Sequence, residues 1–277
     1  MQKYSVLMAV YKKDNPEYFA IALDSMIHQT VPPDEIVIVK DGPITGELQA
    51  VIDGRKIGGA SIHEVALETN QGVGVARNEG LKACRNALVA VMDSDDYSIP
   101  TRCELQLREF ENNPKLDIVG SSVKEFLGDM GNIVSERRVP FSNDAIYSYA
   151  RKRDPFNHPT VMYKRDTVKR CGGYKSYRRN IDTDLWIRLL SNGAVCMNVE
   201  EALVYFRFDE GAYRRRKSWD NTKTFVQVKY NAWKSGFNTF GEFLFLAAAQ
   251  IGIFVLPEWV QKFVYRNFLR RTTQETM

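Results

Sequence analysis

The segment "DSDD", Asp93–Asp96, sets three carboxylates within four residues, directly after the apolar run Leu88–Met92. Like charges this close repel unless water screens them or a cation sits between them. A calcium loop wants oxygen ligands at its first, third and fifth positions, glycine at the sixth and glutamate at the twelfth. Counted from Asp93, the fifth and sixth positions are Tyr97 and Ser98 and Pro100 lies inside, so the segment is not such a loop. Asp96 or Ser98 could cap a helix starting near Pro100, but a cap uses one side chain and leaves the others unexplained. A Mg²⁺ or Mn²⁺ ion bridging to a diphosphate needs only one or two carboxylates, because phosphate oxygens and water complete its shell. Asp93 and Asp95 supply about that much.

A diphosphate also needs donors. "NQGVGVARNEGLKAC" offers Gly72, Gly74, Arg77, Asn78 and Gly80 at the start of a helix, where amides and a guanidinium suit anions. The glycine spacing approaches a dinucleotide fingerprint, but Arg77 stands where its third glycine belongs.

Regular elements must bring these groups together. Tyr4–Val10 reads as a buried strand. Asn15 and Pro16 open a helix that repeats Phe19, Leu23 and Met26 at helical spacing. "EIVIVKDG" is a second strand ending in a turn, Gly46–Asp53 a short helix and Ser61–Ala66 a third strand. Val73–Cys84 reads as a helix and Leu88–Met92 as a fourth strand. This alternation predicts an α/β fold, with a mixed, mostly parallel central sheet and helices on both faces. Ligands bind such sheets beyond the carboxyl ends of their strands, which gathers "YKKD", "KDG" and "DSDD" at one mouth. Beyond Pro100, strands are expected at Ile118–Phe126, Ile133–Val139 and Thr160–Tyr163, and helices at Thr101–Glu111 and Asp182–Leu190.

Of 277 residues, 44% are hydrophobic and 26% charged, as in an ordinary globular protein, and a net charge of +4 is too small to imply nucleic acid. Basic runs at Arg151–Arg153, Arg214–Lys217 and Arg270–Arg271 suit either a solvated face or a surface for acidic lipid or phosphate. Cys84, Cys103, Cys171 and Cys196 have no metal-ligand spacing and fit a reducing compartment. The amino terminus lacks a secretory apolar stretch, so a cytoplasmic location is expected. Near the other end, the run Phe243–Leu256 is broken only by Gln250. It is shorter than the roughly 20 residues a spanning helix needs. With Trp259, Tyr265 and the terminal arginines it suits a helix lying in a membrane interface; a core or dimer helix is the alternative.

Together, "SVLMAVYKKDNPEYFAIALDSMIHQTVPPDEIVIVKDGP", "NQGVGVARNEGLKACRNALVAVMDSDDYSIPTRCELQ", "NHPTVMYKRD" and "DTDLWIRLLSNG" resemble the family 2 glycosyltransferases over nearly the whole chain. The similarity is greatest to bacterial exopolysaccharide and capsule enzymes of the amylovoran type. The resemblance implies a GT-A fold over residues 1–220, with a nucleotide-sugar half to about residue 100 and an acceptor half after it. A helical, membrane-surface segment over 221–277 would follow. It also implies a nucleotide-diphosphate sugar donor (a UDP-sugar), Mg²⁺ or Mn²⁺, inversion at the anomeric carbon, and a saccharide or lipid-linked saccharide acceptor at the inner face of the plasma membrane. A sugar-phosphate nucleotidyltransferase would want a glycine-rich basic loop where "VYKKDNPEY" stands; a non-catalytic nucleotide-sugar-binding membrane protein is the other rival.

By the same resemblance Ala9, Val10 and Tyr11 line the nucleoside and Asp41 reads the uracil edge, although Lys40 replaces an acidic neighbour that many relatives carry. Arg77 and Asn78 fall on the phosphate side. Asp95 is the direct metal ligand, Asp93 lies nearer the ribose and shares the metal, and Asp96 assists. The base usually sits in a Glu-Asp pair before Leu-Trp; in "NIDTDLW" Ile181 replaces the Glu, leaving Asp182 and Asp184. Residues two apart on a helix point to different sides. Asp182 shares its face with Leu185, Trp186 and Leu189, so Asp182 is the expected base and Asp184 the alternate. A helix cap is the structural alternative for Asp182. His158 in "FNHPTV" is a candidate for the acceptor or a phosphate, or a structural histidine.

Overall fold

A computed structural model describes residues 2–208 and 218–256. The first half follows the expected alternation: β1 (Tyr4–Val10), α1 (Pro16–Ile27), β2 (Glu35–Lys40), α2 (Gly46–Ile57), β3 (Ile62–Ala66), α3 (Val73–Ala83) and β4 (Leu88–Met92). Asn15 caps α1 through its side-chain oxygen, which accepts from the Glu17 and Tyr18 amides, and Pro16 takes the first helical position. β3, β2, β1 and β4 pair in parallel in that spatial order.

The second half adds β5 (Tyr97–Ser98), α4 (Arg102–Asn112), β6 (Ile118–Phe126), β7 (Ile133–Arg137), α5 (Asn143–Ala150), a 3₁₀ turn at His158–Thr160, β8 (Met162–Lys164), α6 (Arg165–Arg170), α7 (Ile181–Ser191) and β9 (Cys196–Arg207). β8 runs antiparallel between β4 and β6, β9 lies parallel to β6, and β5 and β7 pair antiparallel with β9 and β6. The sheet is therefore parallel where the donor-side loops emerge and mixed beyond. Neither Asp96 nor Ser98 caps α4, whose first turn follows Thr101 without a side-chain cap.

Each face of the sheet carries its own core. Along β1, Tyr4, Val6, Met8 and Val10 pack with Phe19, Leu23 and Met26 of α1, while Leu7 points to the opposite face, toward Ala76 and Leu81 of α3. That period of two is the strand geometry at work. A β-carbon on Gly80 would overlap Leu7 and Val39, so glycine is what lets α3 lie close enough to aim its first turn at the sheet's mouth.

The carboxyl-terminal helices are α8 (Trp219–Lys234) and α9 (Phe240–Val255). α8 is docked: Val228 and Ala232 pack on Ile187 of α7, and the buried Lys229 ammonium donates to the Ala150 and Arg151 carbonyls. Arg151 forks onto Glu242 at the start of α9. Of α9 itself only Ala247 is buried, while Phe240, Leu244, Phe245, Ile251 and Val255 are exposed among the described residues. Among those residues no helix is long and apolar enough to cross a membrane. The basic run Arg214–Lys217, Trp259, Tyr265 and Arg270–Arg271 lie outside the described residues.

Candidate active site

The parallel register decides which loops meet. Val10 pairs with Lys40, and Met8 with Met92, so the strands release Tyr11, Asp41 and Asp93 at one edge. There a cleft of about 390 Å³ opens, and Ala9, Val10, Tyr11, Asp41, Arg77, Asp93 and Asp95 all line it. Asp14, Asn70 and Ser94 line it as well, although the sequence singled out none of the three. Asp14 was visible in the "YKKD" loop, but a single aspartate in a polar turn carries no signal by itself.

Asp41 is buried at the cleft wall and fastens the loop before α3. One of its oxygens accepts from the Gln71 amide at 2.7 Å, and the other from the Asn70 side chain at 2.9 Å and the Gly72 amide at 3.0 Å. Of the donors the sequence offered to a phosphate, the Gly72 amide is therefore already engaged. Lys40 turns away to Glu64 at 2.8 Å and to Gln49. Burial would raise the Glu64 carboxyl, but hydrogen bonds from Lys40, Lys56 and Gln49 outweigh it and hold it down at about 2. The departure from the family's acidic pair is thus neutralised locally.

Arg77 lines the cleft and is engaged as well. Its guanidinium is buried, with Nη2 donating to Asp93 at 2.7 Å and Nη1 to Asp182 at 3.2 Å. Both ends of the fork hold carboxylates, which takes two of its five N–H donors. Arg77 bridges the acidic turn to α7, with Tyr174 beneath it at 5.6 Å. Asn78 is turned off the cleft, since its amide donates to the Tyr174 carbonyl at 2.7 Å and accepts from the Tyr174 amide at 2.8 Å.

The two candidate bases separate cleanly. Asp184 is buried and paired with Arg188 at 2.7 Å, and that arginine also anchors the Cys171 and Gly173 carbonyls. Such a group is committed to structure. Asp182 is half-buried, caps nothing because Asn180 is the helix N-cap, and faces Arg77. Burial lifts its carboxyl above the ordinary value, and Arg77 and Arg137 partly oppose the lift. His158 is buried behind it, with Nε2 at 3.1 Å from the Tyr174 hydroxyl and 3.8 Å from Asp182. Burial keeps the imidazole neutral, well below its usual range. Enclosed by Tyr174 and Trp186, it backs the site rather than opening onto an acceptor.

In the acidic turn, Asp96 points inward and accepts the Arg207 amide at 2.8 Å, which leaves Asp93 and Asp95 at the surface of the cleft. Beneath them the wholly buried Arg102 donates to the Val91 carbonyl at 2.8 Å and steadies the end of β4.

The sequence profile described as "Glycosyl transferase family 2" matches residues 5–186, the span from β1 to the Asp182 helix. The chain belongs to that family. It is a glycosyltransferase, which sets aside the nucleotidyltransferase and the non-catalytic readings. Among family 2 relatives, it is 34% identical over 270 residues to the UDP-Gal:alpha-D-GlcNAc-diphosphoundecaprenol beta-1,3-galactosyltransferase of Escherichia coli, covering 97% of each chain. It is also 34% identical over 267 residues to the amylovoran biosynthesis glycosyltransferase AmsE of Erwinia amylovora, covering 95% of this chain and 98% of that one. The mannosyltransferase PcManGT of Pyrobaculum calidifontis, solved with GDP-Man and Mn²⁺, superposes with a TM-score of 0.65 over 94% of this chain and 72% of its own at 15% identity. That likeness fixes the GT-A fold.

Family 2 enzymes of this fold typically use a divalent metal, and the acidic turn fits one. Confinement in the cleft, then the charges of Asp93 and Asp14, push the Asp95 carboxyl up to about 6. Burial and Asp93 do the same to Asp14. Such crowding is what a cation relieves. No cluster of three or more His, Cys, Asp or Glu side chains is arranged to enclose an ion among the described residues. Asp93 and Asp95 at the surface of the cleft are the one or two carboxylates that Mg²⁺ or Mn²⁺ takes when phosphate and water complete its shell.

Proposed function

We propose that this enzyme transfers a sugar from a UDP-sugar to a hydroxyl of a lipid-linked saccharide, with inversion, at the inner face of the plasma membrane. The observation that carries the proposal is the Arg77 bridge: from the wall of the cleft, Arg77 joins Asp93 of the acidic turn to Asp182 of α7. The Escherichia coli relative, whose name specifies UDP-galactose and a diphosphoundecaprenol-linked acceptor over the full length, supports the substrate classes. The Mn²⁺ complex of the mannosyltransferase supports the metal.

Asp95, with Asp93, would hold the ion, which supplies positive charge to the departing diphosphate. Ala9, Val10 and Tyr11 flank the nucleoside, and Asp41, three of whose four acceptor sites are taken, has one left for the base. Asp182 accepts the proton of the acceptor hydroxyl as that oxygen bonds to the anomeric carbon and the bond to the diphosphate breaks on the opposite side. Arg77 keeps Asp182 oriented and partly offsets its burial, so that the carboxylate is ionised when it acts.

Incubation with a panel of UDP- and GDP-sugars, Mn²⁺ and a diphosphate-lipid-linked saccharide is expected to release UDP only when metal and acceptor are both present. Release of GDP alone would overturn the donor assignment, and turnover undiminished by EDTA would overturn the metal.

The bare apolar side of α9 supports contact with the bilayer that carries such an acceptor. Phe245 is 70% exposed, and burying a phenylalanine side chain stabilises by about 1.5–3 kcal/mol. Phe245→Glu is therefore expected to reduce co-sedimentation with phosphatidylglycerol vesicles about tenfold or more, and unchanged sedimentation would refute membrane contact through this helix.

A further inference from the structure

The residue that holds the acidic turn from behind lies at the far end of the sheet. Arg207, the last residue of β9, donates its backbone amide to Asp96 Oδ1 at 2.8 Å and its Nε to the Asp95 carbonyl at 3.0 Å. Its Nη1 donates to the Gly128 carbonyl at 2.9 Å, in the turn between β6 and β7. The guanidinium plane is flanked by rings, 3.6 Å from the centroid of Tyr18 on α1 and 4.6 Å from that of Phe126 on β6. Two side-chain donors and two ring contacts fix this guanidinium in one orientation, and only a planar fork can make all four at once, whereas the amide bond to Asp96 belongs to the backbone.

We infer that Arg207 is a positioning residue of the reaction: it sets the aim of Asp95, and through it the affinity for a nucleoside diphosphate that binds together with a divalent ion. The inference rests on the metal role proposed for Asp95. Two physical facts support it. A carboxylate on a two-residue turn has little of its own backbone to hold it, and the Arg207 guanidinium locks the peptide that carries it. Arg207 is also a cation held against the turn that carries the crowded carboxylates of Asp93 and Asp95. Among the described residues, the hydrogen bonds and ring contacts of Arg207 go to Asp95, Asp96, Gly128, Tyr18 and Phe126, not to Ala9, Val10, Tyr11 or Asp41 on the nucleoside side of the cleft. An effect on ion-linked binding can therefore be told from general damage.

Calorimetric binding of UDP to the wild-type chain, Arg207→Met and Arg207→Lys, each in Mn²⁺ and in EDTA, tests this. Both variants are expected to bind UDP about tenfold or more weakly in Mn²⁺, and like the wild type in EDTA. Lysine fails to rescue because it keeps the charge but not the fork. Equal loss in both buffers would mean a purely structural role, and no loss in Mn²⁺ would mean no role; either overturns the inference. If both variants melt below the assay temperature, Tyr18→Leu removes one ring and leaves the arginine. A several-fold loss confined to Mn²⁺ is then expected, and its absence is equally decisive. A wild-type chain that binds UDP no better in Mn²⁺ than in EDTA would remove the metal assignment and this inference with it, a failure read from the wild type alone.

Discussion

Asp182→Asn is expected to lower kcat by roughly 10²–10⁴-fold, the usual worth of general-base catalysis, while UDP affinity stays close to wild type. The substitution is nearly isosteric. Arg77 loses one carboxylate partner at 3.2 Å but keeps Asp93 at 2.7 Å, so the acidic turn and the nucleoside wall stay in place. An amide cannot take the acceptor's proton, and only the chemical step should suffer. Because burial raises the Asp182 carboxyl, wild-type kcat/KM should climb with pH along a limb above the ordinary carboxylate range, and that limb should vanish in the variant. Asp184→Asn makes the contrast. It breaks the buried pair with Arg188 and is expected to lower the melting temperature, with any loss of turnover following the loss of folded protein. Turnover lost in Asp184→Asn at unchanged stability, and kept in Asp182→Asn, would reverse the assignment.

Periodicity made most of the donor half legible. β1, β4 and β6 stand where their apolar runs predict, and Asn15 with Pro16 marked the start of α1 to the residue. Composition was a poorer guide in the second half. β9 is twelve residues long but reads "CMNVEEALVYFR", with two glutamates and an asparagine interrupting its alternation. It bulges against β6 near Ser121 and Ser122, and that irregularity breaks the simple period. Arg207 was invisible for the same reason, since its partners lie 112 residues away in sequence at Asp95 and 79 away at Gly128. Helix-face reasoning put Asp182 and Asp184 on different sides of α7, but it pointed Asp182 inward, whereas Asp184 is the more buried of the two. Spacing along one helix cannot reveal Arg188 bending back onto Asp184, nor Arg77 arriving from another element to meet Asp182. The partners that Gly72 and Arg77 find in Asp41, Asp93 and Asp182 were out of reach of spacing by the same logic. Residue types announce hydrogen-bonding capacity, and only the tertiary structure tells which of it is already occupied.

Asp95→Asn should split two measurements that normally move together. In the metal-free protein the Asp95 carboxyl sits at about 6 against an ordinary 3.8, which means the folded state holds more protons than the unfolded state between those values. Stability then declines as pH rises through that window, and at neutral pH the folded protein carries an unfavourable negative charge. The amide removes that charge, so metal-free Asp95→Asn is expected to melt no lower than wild type at pH 7.5. The response to ligand should go the other way. Saturating UDP with Mn²⁺, at about 100 times its dissociation constant, stabilises a folded protein by about 2.7 kcal/mol, on the order of 5 °C or more in a chain of this size. The wild type should show that shift, and Asp95→Asn should lose most of it. Asp93→Asn should behave differently, because it takes a 2.7 Å partner from the buried Arg77 and is expected to lower the metal-free melting temperature too. A full Mn²⁺-dependent shift in Asp95→Asn would mean that the ion, and the diphosphate it grips, are held elsewhere.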